Sequence, residues 1–177
     1  MSRLGKRIIP IPVGVTLKCE ETRIVVSKGN NVLEKNILQG VSVSNENNGV
    51  LVTPLRDDIF CRAMWGTCRS IIFNMIKGVT DGFQTSIEIV GVGYKAEVLD
   101  KLLILSLGYS HDIFLTIPKN IELTCEKPTL MHIKSSDKEA LGQFVALIQS
   151  LRKKDPYKGK GIYKVGEYRR RKKGKNK

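Results

Sequence analysis

Residues 136–151, SDKEALGQFVALIQSL, decide how the second half of the chain folds. The first four residues of this stretch match the capping box that begins many helices. Apolar side chains then recur at helical spacing, at Leu141, Val145, Ile148 and Leu151. Residues spaced in this way share one face of a helix, and such a face packs on a sheet. The stretch therefore predicts a helix that lies against strands.

Five strand candidates precede this helix, and Gly, Pro, Asp or Asn residues separate them. They are Phe83–Val98, Leu102–Leu107, Ile113–Ile117, Ile121–Cys125 and Leu130–Lys134. Several strands followed by one helix predict an α+β domain, in which the helix covers one face of an antiparallel sheet.

The first half of the chain repeats this plan. β-Branched or alternating residues predict strands at Thr22–Val26, Val41–Ser44 and Val50–Thr53. Pro54 ends the last of these strands, and Asp57 or Asp58 is then predicted to cap a helix. We expect this helix to run to about Gly78, because glycine is a natural helix stop.

Two copies of one plan predict an α+β protein with two similar domains, each an antiparallel sheet packed against one helix. The boundary is expected near Thr80-Asp81-Gly82, which gives domains at residues 1–81 and 82–177. Basic extensions are predicted at both ends of the chain. Domains of this length have modest cores, so mutual packing or bound RNA is expected to add stability.

The charge of the chain is concentrated at its ends. The formal net charge is +13. Residues 1–18 contribute +4 and residues 152–177 contribute +11, whereas residues 19–151 sum to −2. Basic side chains that neutralise phosphates release condensed counterions, so these ends favour a polyanionic partner. We predict nucleic acid rather than a membrane surface, because no apolar helical face or lipidation signal accompanies the basic cluster RRRKK at residues 169–173.

The remaining composition favours neither a metal site nor a membrane protein. The four cysteines contain no Cys-x-x-Cys pair, and neither His111 nor His132 lies at zinc-ligand spacing from them. Reduced thiols and a reducing, cytosol-like compartment are expected. No apolar stretch reaches the roughly 20 residues of a membrane-spanning helix, and no signal peptide is predicted.

Two motifs that resemble enzyme sites are predicted to be structural. Residues 91–96, GVGYKA, fit a dinucleotide fingerprint, but the residues after them alternate as a strand instead of opening the helix that the fingerprint requires. We expect these glycines to mark a bend or bulge in a strand. Ser110, His111 and Asp112 are neighbours in sequence, whereas the groups of a nucleophilic triad must meet in space. A polar turn that contacts RNA through Tyr109 or His111 is predicted instead.

Residues 155–162, DPYKGKGI, carry the most information about function. Glycine lets a backbone come close to phosphates, Lys158 and Lys160 supply charge, and Tyr157 offers a ring for stacking. The segment lacks the Gly-Lys-Ser/Thr of a Walker loop, so it does not imply nucleotide hydrolysis.

These motifs resemble, in order and over essentially the whole chain, the bacterial-type ribosomal protein L6 family of the large subunit. The matching segments are Ser2–Lys6 with Pro10–Val15, Arg62–Ser70, Gly91–Ala96, Leu105–His111 and Pro156–Ile162. Two features depart from the family pattern. Ile8 stands where proline is usual, and Lys153-Lys154 replaces a more Pro- and acid-containing approach to the tail.

The resemblance implies two domains that share a fold and a position on large-subunit rRNA near the translation-factor-binding region and the sarcin-ricin loop. It also implies neighbouring ribosomal proteins, proximity to elongation factors, and a role in subunit assembly and translation in a bacterial cytoplasm or an organelle. The rRNA-contacting tail of the family maps onto Tyr157 to Gly161. The predicted rRNA-binding residues are Tyr109, His111, Lys153, Lys154, Tyr157, Lys158, Gly159, Lys160, Gly161, Arg169, Arg170, Arg171, Lys172 and Lys173.

No catalytic residue, cofactor or metal is predicted. Two other functions stay open from the residues alone. One is an enzyme that uses the glycine pair and His111, and the other is a non-ribosomal module bound to DNA or acidic membranes through its basic ends.

Overall fold

A computed structural model describes residues 5–20, 22–29, 31–46 and 49–174. The outermost parts of the predicted extensions, residues 1–4 and 175–177, lie outside this description. The chain divides into two compact units on either side of the junction between Gly82 and Phe83. Each unit combines antiparallel strands with one long helix, so the predicted α+β class is confirmed.

The described residues of the first unit form five strands and one helix. These are β1 (Thr16–Cys19), β2 (Arg23–Lys28), β3 (Asn31–Asn36), β4 (Val41–Glu46), β5 (Gly49–Pro54) and α1 (Ile59–Thr80). The first three strands form one antiparallel sheet in the order β1-β2-β3, and the next two form a hairpin. The unit therefore has two small sheets where one was predicted. Neither β1 nor β3 was predicted, because each has at most one buried side chain and so lacks the apolar run that predicts a strand.

Helix α1 packs on this unit through Trp65. The indole Nε1 donates a hydrogen bond to the Val52 carbonyl oxygen at 2.6 Å, and the ring is buried against β5. Gly5 approaches the same ring so closely that a Cβ there would lie 2.6 Å from the Trp65 Cε2 atom. The indole therefore ties the helix to one strand and to the start of the described chain.

The two ends of α1 differ from the sequence prediction. Asp58 is the N-cap residue, but its side chain makes no capping hydrogen bond. The predicted stop at Gly78 is wrong, because Gly78 is buried within a helix that continues to Thr80. The chain leaves the helix at Gly82, whose φ of 73° is the left-handed conformation that favours glycine after a helix.

The second unit contains seven strands and one helix. They are β6 (Phe83–Val90), β7 (Lys95–Leu99), β8 (Leu102–Ser106), β9 (Ile113–Thr116), β10 (Ile121–Lys127), β11 (Leu130–Ser135), α2 (Lys138–Leu151) and β12 (Gly161–Lys164). A four-stranded sheet has the order β10-β11-β6-β12, and a three-stranded sheet has the order β7-β8-β9. All pairings are antiparallel.

The predicted strand Phe83–Val98 is two strands in two different sheets. The amide of Tyr94 donates to the Gly91 carbonyl oxygen at 3.3 Å, which closes a tight turn between β6 and β7. The Tyr94 ring packs over this turn, and a Cβ at Gly91 would lie 2.5 Å from it. The glycines therefore separate two strands instead of bending one, and no helix opens after them.

The amphipathic helix predicted from residues 136–151 is confirmed as α2. Its buried face consists of Leu141, Phe144, Val145 and Ile148. The cap differs from the capping box, because the N-cap is Asp137 and its carboxylate accepts a hydrogen bond from the Glu139 amide at 2.9 Å. No described helix is both long and apolar enough to cross a lipid bilayer.

We predict that Ile162 holds β12 in the core of the second unit. Its side chain is completely buried, so Ile162→Ala should lower the free energy of unfolding by about 2 to 5 kcal/mol, as core truncations do. Urea denaturation followed by circular dichroism measures this. Val165→Ala is the control, because Val165 is 54% exposed and should change stability by less than about 0.5 kcal/mol. Equal effects of the two variants would show that β12 is not part of the core.

Candidate nucleic-acid interface

The C-terminal basic segment is anchored by a strand. Strand β12 pairs antiparallel with β6, and its register places Gly161 opposite Val90 and Tyr163 opposite Glu88. Ile162 points into the core with Ile87 and Ile89 on β6. Successive side chains of a strand alternate between its faces, so Tyr163 and Glu88 lie together on the face that is turned away from the core.

The loop before β12 is closed by Asp155. The Asp155 carboxylate accepts from the Tyr157 amide at 2.9 Å, and the Asp155 carbonyl oxygen accepts from the Gly159 amide at 3.0 Å. The Asp155 amide in turn donates to the Lys160 carbonyl oxygen at 2.8 Å. This compact loop leaves Tyr157 and Lys158 exposed, so the ring and the charge that suggested RNA binding stand on its outer side.

The atoms around Gly161 leave no room for a side chain at this position. Its φ is 134°, and a Cβ there would lie 2.9 Å from the Lys154 Cα atom. Alanine would therefore collide with backbone that cannot move aside easily. Close approach of two backbone segments accounts for this glycine.

The segment after β12 reverses and returns along the loop. The Glu167 amide donates to the Lys164 carbonyl oxygen at 3.1 Å, and Gly166 within this turn has a φ of 82°. The chain then runs back until the Lys172 amide donates to the Pro156 carbonyl oxygen at 2.9 Å. Residues 165–172 thus form a folded return, which we call the return segment, instead of a free tail.

Two cations of this region form ion pairs within the protein. Arg169 forms an ion pair with Glu88, and Lys154 forms one with Glu167. Both cations also lie over the ring of Tyr163, with the Arg169 Cζ atom 4.7 Å and the Lys154 Nζ atom 5.6 Å from its centroid. Tyr163 itself is only 4% exposed. The Lys154 ammonium lowers the pKa of the Glu167 carboxyl below its ordinary value.

The remaining cations face solvent. Six of the predicted binding cations are exposed and form no ion pair within the part of the chain that the structure describes: Lys153, Lys158, Arg170, Arg171, Lys172 and Lys173. Beside them the return segment encloses a cavity of about 110 Å³. Its lining residues are Lys154, Asp155, Pro156, Gly159, Tyr163, Tyr168, Arg169, Arg170 and Arg171.

Tyr109 and His111 form a second group in this unit. Their rings stack with a centroid separation of 6.2 Å, and the Tyr109 hydroxyl donates to the Leu151 carbonyl oxygen at 3.0 Å. The guanidinium of Arg152 lies 4.8 Å from the Tyr109 ring centroid. The pair therefore sits at the end of α2, where the basic segment begins. Arg152 was missed as a site residue, although its position beside Lys153 is a sequence signal for it.

The described residues offer no arrangement for nucleophilic catalysis at His111. The carboxylate of Asp112 accepts from the Ser106 hydroxyl at 2.7 Å and is not directed at the imidazole. Elsewhere, Ser86, His132 and Glu126 form a chain of hydrogen bonds of 2.8 Å and 3.0 Å. This chain lies on an open sheet face, and the imidazole lowers the pKa of Glu126.

The thiols and acids do not form a redox or metal site. All four cysteines are free, and burial raises the pKa of Cys19, Cys68 and Cys125, which keeps these thiols protonated and weakly nucleophilic. Across the described ranges of the chain, no three histidine, cysteine or acidic side chains converge on a point where a metal ion would sit.

Comparison with known proteins identifies the family. The family profile described as ribosomal protein L6 matches residues 11–82 and 90–165. The chain belongs to the ribosomal protein L6 family. The proteins named "Large ribosomal subunit protein uL6" from Beijerinckia indica subsp. indica and Rhodospirillum centenum are 47% and 41% identical to it, over all of both chains. The protein of that name from Nitratiruptor sp. is 44% identical, over 99% of this chain and 98% of its own.

Membership in the L6 family confirms the predicted resemblance, and it identifies the chain as a ribosomal component rather than an enzyme. The two matched segments, residues 11–82 and 90–165, fall one in each compact unit, in agreement with two similar domains. The second matched segment includes β12 but ends at residue 165. The return segment of this L6 protein therefore lies almost entirely beyond the residues that the family profile matches, although the relatives match over the whole chain.

We predict that Gly161→Ala will loosen β12 of this L6 protein. The positive φ and the contact with Lys154 backbone should lower the free energy of unfolding by about 1 to 3 kcal/mol. Gly174→Ala is the matched control, because Gly174 has neither a positive φ nor an atom within 4 Å of the added Cβ. Thermal melts of the two variants make the comparison, and an unchanged melting temperature for Gly161→Ala would contradict the fit described above.

The ion pair of Lys154 with Glu167 should make stability depend on pH. Because the folded state lowers the pKa of Glu167, the stabilisation is complete above the unfolded value of about 4.3 and is lost as pH falls through the lower folded value. Glu167→Gln should therefore be less stable than the parent protein at pH 7, and this difference should shrink as the pH is lowered from 7 to about 3. Urea midpoints measured across this range test the prediction. A difference of the same size at both pH values would rule out a titrating carboxylate as its source.

Proposed function

We propose that this protein is a structural constituent of the large ribosomal subunit and binds large-subunit rRNA through its C-terminal basic segment, residues 152–173. Family membership supports the ribosomal role, because the relatives carry the name of a large-subunit protein. A cytoplasmic ribosome of bacterial type fits the bacterial sources of these relatives. Subunit assembly and translation are the processes that such a constituent serves.

One observation carries the RNA-binding part of the proposal. The six exposed cations named above belong to a folded segment, and no carboxylate among the described residues forms an ion pair with them. Phosphate oxygens of RNA are the partners that such cations bind, and each contact releases counterions. Exposed Tyr157 and Tyr168, at 60% and 88%, add rings on which unpaired bases stack.

The folded segment also refines the predicted binding residues. Lys153, Lys158, Arg170, Arg171, Lys172 and Lys173 are the proposed phosphate ligands, and Tyr157 is a proposed stacking residue. Gly159 and Gly161 act through the shape of the loop, since both are buried. Lys160 is half-buried at the base of the loop and supports the electrostatic field of the surface.

A finer part of the proposal concerns position on the ribosome. The family resemblance supports contact with rRNA near the translation-factor-binding region and the sarcin-ricin loop, with neighbouring ribosomal proteins and elongation factors close by. Tyr109, His111 and Arg152 extend the basic surface to the end of α2. Co-sedimentation with large subunits after high-salt washing tests the ribosomal role. Recovery of the protein only in the free soluble fraction would contradict it.

We predict a strong salt dependence for rRNA binding. If about six phosphates are contacted, the logarithm of the affinity should fall with the logarithm of salt concentration at a slope of about −4 to −5. The slope is measured by filter binding of the protein to purified large-subunit rRNA between about 50 and 200 mM salt. An affinity that does not change with salt would refute the phosphate contacts.

Removing charged side chains tests which residues bind rRNA. The double variant Lys158→Ala with Lys160→Ala should weaken rRNA binding by about tenfold or more, because it removes a phosphate contact of Lys158 and the contribution of Lys160 to the electrostatic field. The double variant Lys101→Ala with Lys119→Ala is the charge-matched control, since both are exposed cations in turns outside the basic segment. Equal losses of rRNA affinity in the two variants would show that binding depends only on the net charge of the protein.

A further inference from the structure

Glu88 is an acidic residue in an unusual position. It lies on β6, on the sheet face turned away from the core, between Leu130 of β11 and Tyr163 of β12. Arg169 reaches it from 81 residues further along the chain. Both side chains are partly shielded, with 40% of Glu88 and 33% of Arg169 exposed. A pair at this position ties the return segment to the middle of the sheet.

Tyr163 shows what the ion pair holds in place. A tyrosine on an open sheet face would be largely exposed, yet Tyr163 is only 4% exposed. Arg169 and Lys154 cover its ring from the return segment and from the residues before the loop. The burial of Tyr163 therefore depends on the return segment staying folded.

Apart from the ion pair of Glu167 with Lys154, the return segment has little else to hold it. It contributes no side chain to the hydrophobic core. Its backbone is held at its two ends, where the Val165 amide donates to the Ser86 carbonyl oxygen and the Lys172 amide donates to the Pro156 carbonyl oxygen, both at 2.9 Å. A run of five basic residues repels itself, and such runs are usually disordered. An internal carboxylate is needed to offset this repulsion.

We infer that Glu88 is a positioning residue for RNA binding, which holds Arg169 as an internal counter-ion so that the return segment is folded before RNA arrives. This inference rests on the proposed function. Arg169, and likewise Lys154 on Glu167, then shape the surface and do not neutralise phosphates. Arg170 and Arg171, which follow Arg169 in sequence, remain available to neutralise phosphates. Ordering the segment in advance removes an entropic cost that binding would otherwise carry.

Two roles of the Glu88 carboxylate have opposite effects on the affinity for RNA. A carboxylate that merely occupied Arg169 until a phosphate displaced it would inhibit binding, and its removal would strengthen affinity for RNA. A positioning carboxylate has the opposite effect, because its removal releases the segment. The sign of the change in affinity therefore distinguishes the two roles.

The first experiment uses the free full-length protein and needs no RNA. Amide hydrogen exchange at Val165 and Lys172 should be at least tenfold faster in Glu88→Gln than in the parent protein. Glu126→Gln is the matched control, because Glu126 lies on the same sheet and the substitution removes the same charge. Unchanged exchange in Glu88→Gln would overturn the inference. Arg169→Gln should reproduce the effect, and the double variant should add little to it.

The second experiment measures binding to purified large-subunit rRNA. Relative to Glu126→Gln, Glu88→Gln should bind at least threefold more weakly with an unchanged salt slope. Arg170→Gln should instead make the slope less steep by about 0.7 to 0.9, the amount for one phosphate contact, whereas Arg169→Gln should leave it unchanged. Tighter binding by Glu88→Gln, or equal loss of slope in Arg169→Gln and Arg170→Gln, would overturn the inference. If the parent protein fails to bind rRNA, the proposed function fails, while hydrogen exchange still decides the role of Glu88.

Discussion

The pairing of β12 with β6 is the constraint on which the candidate interface depends. It buries Ile162 in the core and so fixes the chain on both sides of a short strand. The loop closed by Asp155 lies before it, and the return segment lies after it. Because both are held at known positions on one sheet, their side chains form a single surface. Without this strand, the last twenty or so residues would be a basic tail with no fixed geometry.

Such a surface has to keep many like charges close together. The protein manages this by pairing only some of them with carboxylates, Arg169 with Glu88 and Lys154 with Glu167. The paired cations cover Tyr163, and the unpaired cations keep their charge for a partner. Stability and binding thus make different demands on neighbouring residues of the same segment. A fully paired segment would have no charge to offer, and an unpaired one would not stay folded.

Sequence periodicity predicted the elements with strong local patterns. Helix α2 was found because its apolar face repeats over four turns, and β11 because alternating residues precede the cap. The missed elements lack such a signal. Strand β12 is four residues long and surrounded by charge and glycine, so composition indicated a tail, and Phe83–Val98 looked continuous because apolar alternation runs on both sides of its glycines. In the site, the binding role of the loop residues stays a prediction, and Tyr163, Glu88 and Arg152 were not identified from the sequence.

The sequence by itself determined the α+β class, the two-part organisation and the family, because helical spacing, turn residues and ordered motifs are local properties of the chain. It also determined that positive charge gathers at the ends. Only the tertiary structure decided which cations are available. Arg169 and Arg170 are adjacent and chemically identical, yet one is paired and the other is not. That difference arises from the register of β12 on β6, which brings Glu88 beside one of them, and no local pattern encodes a contact across 81 residues.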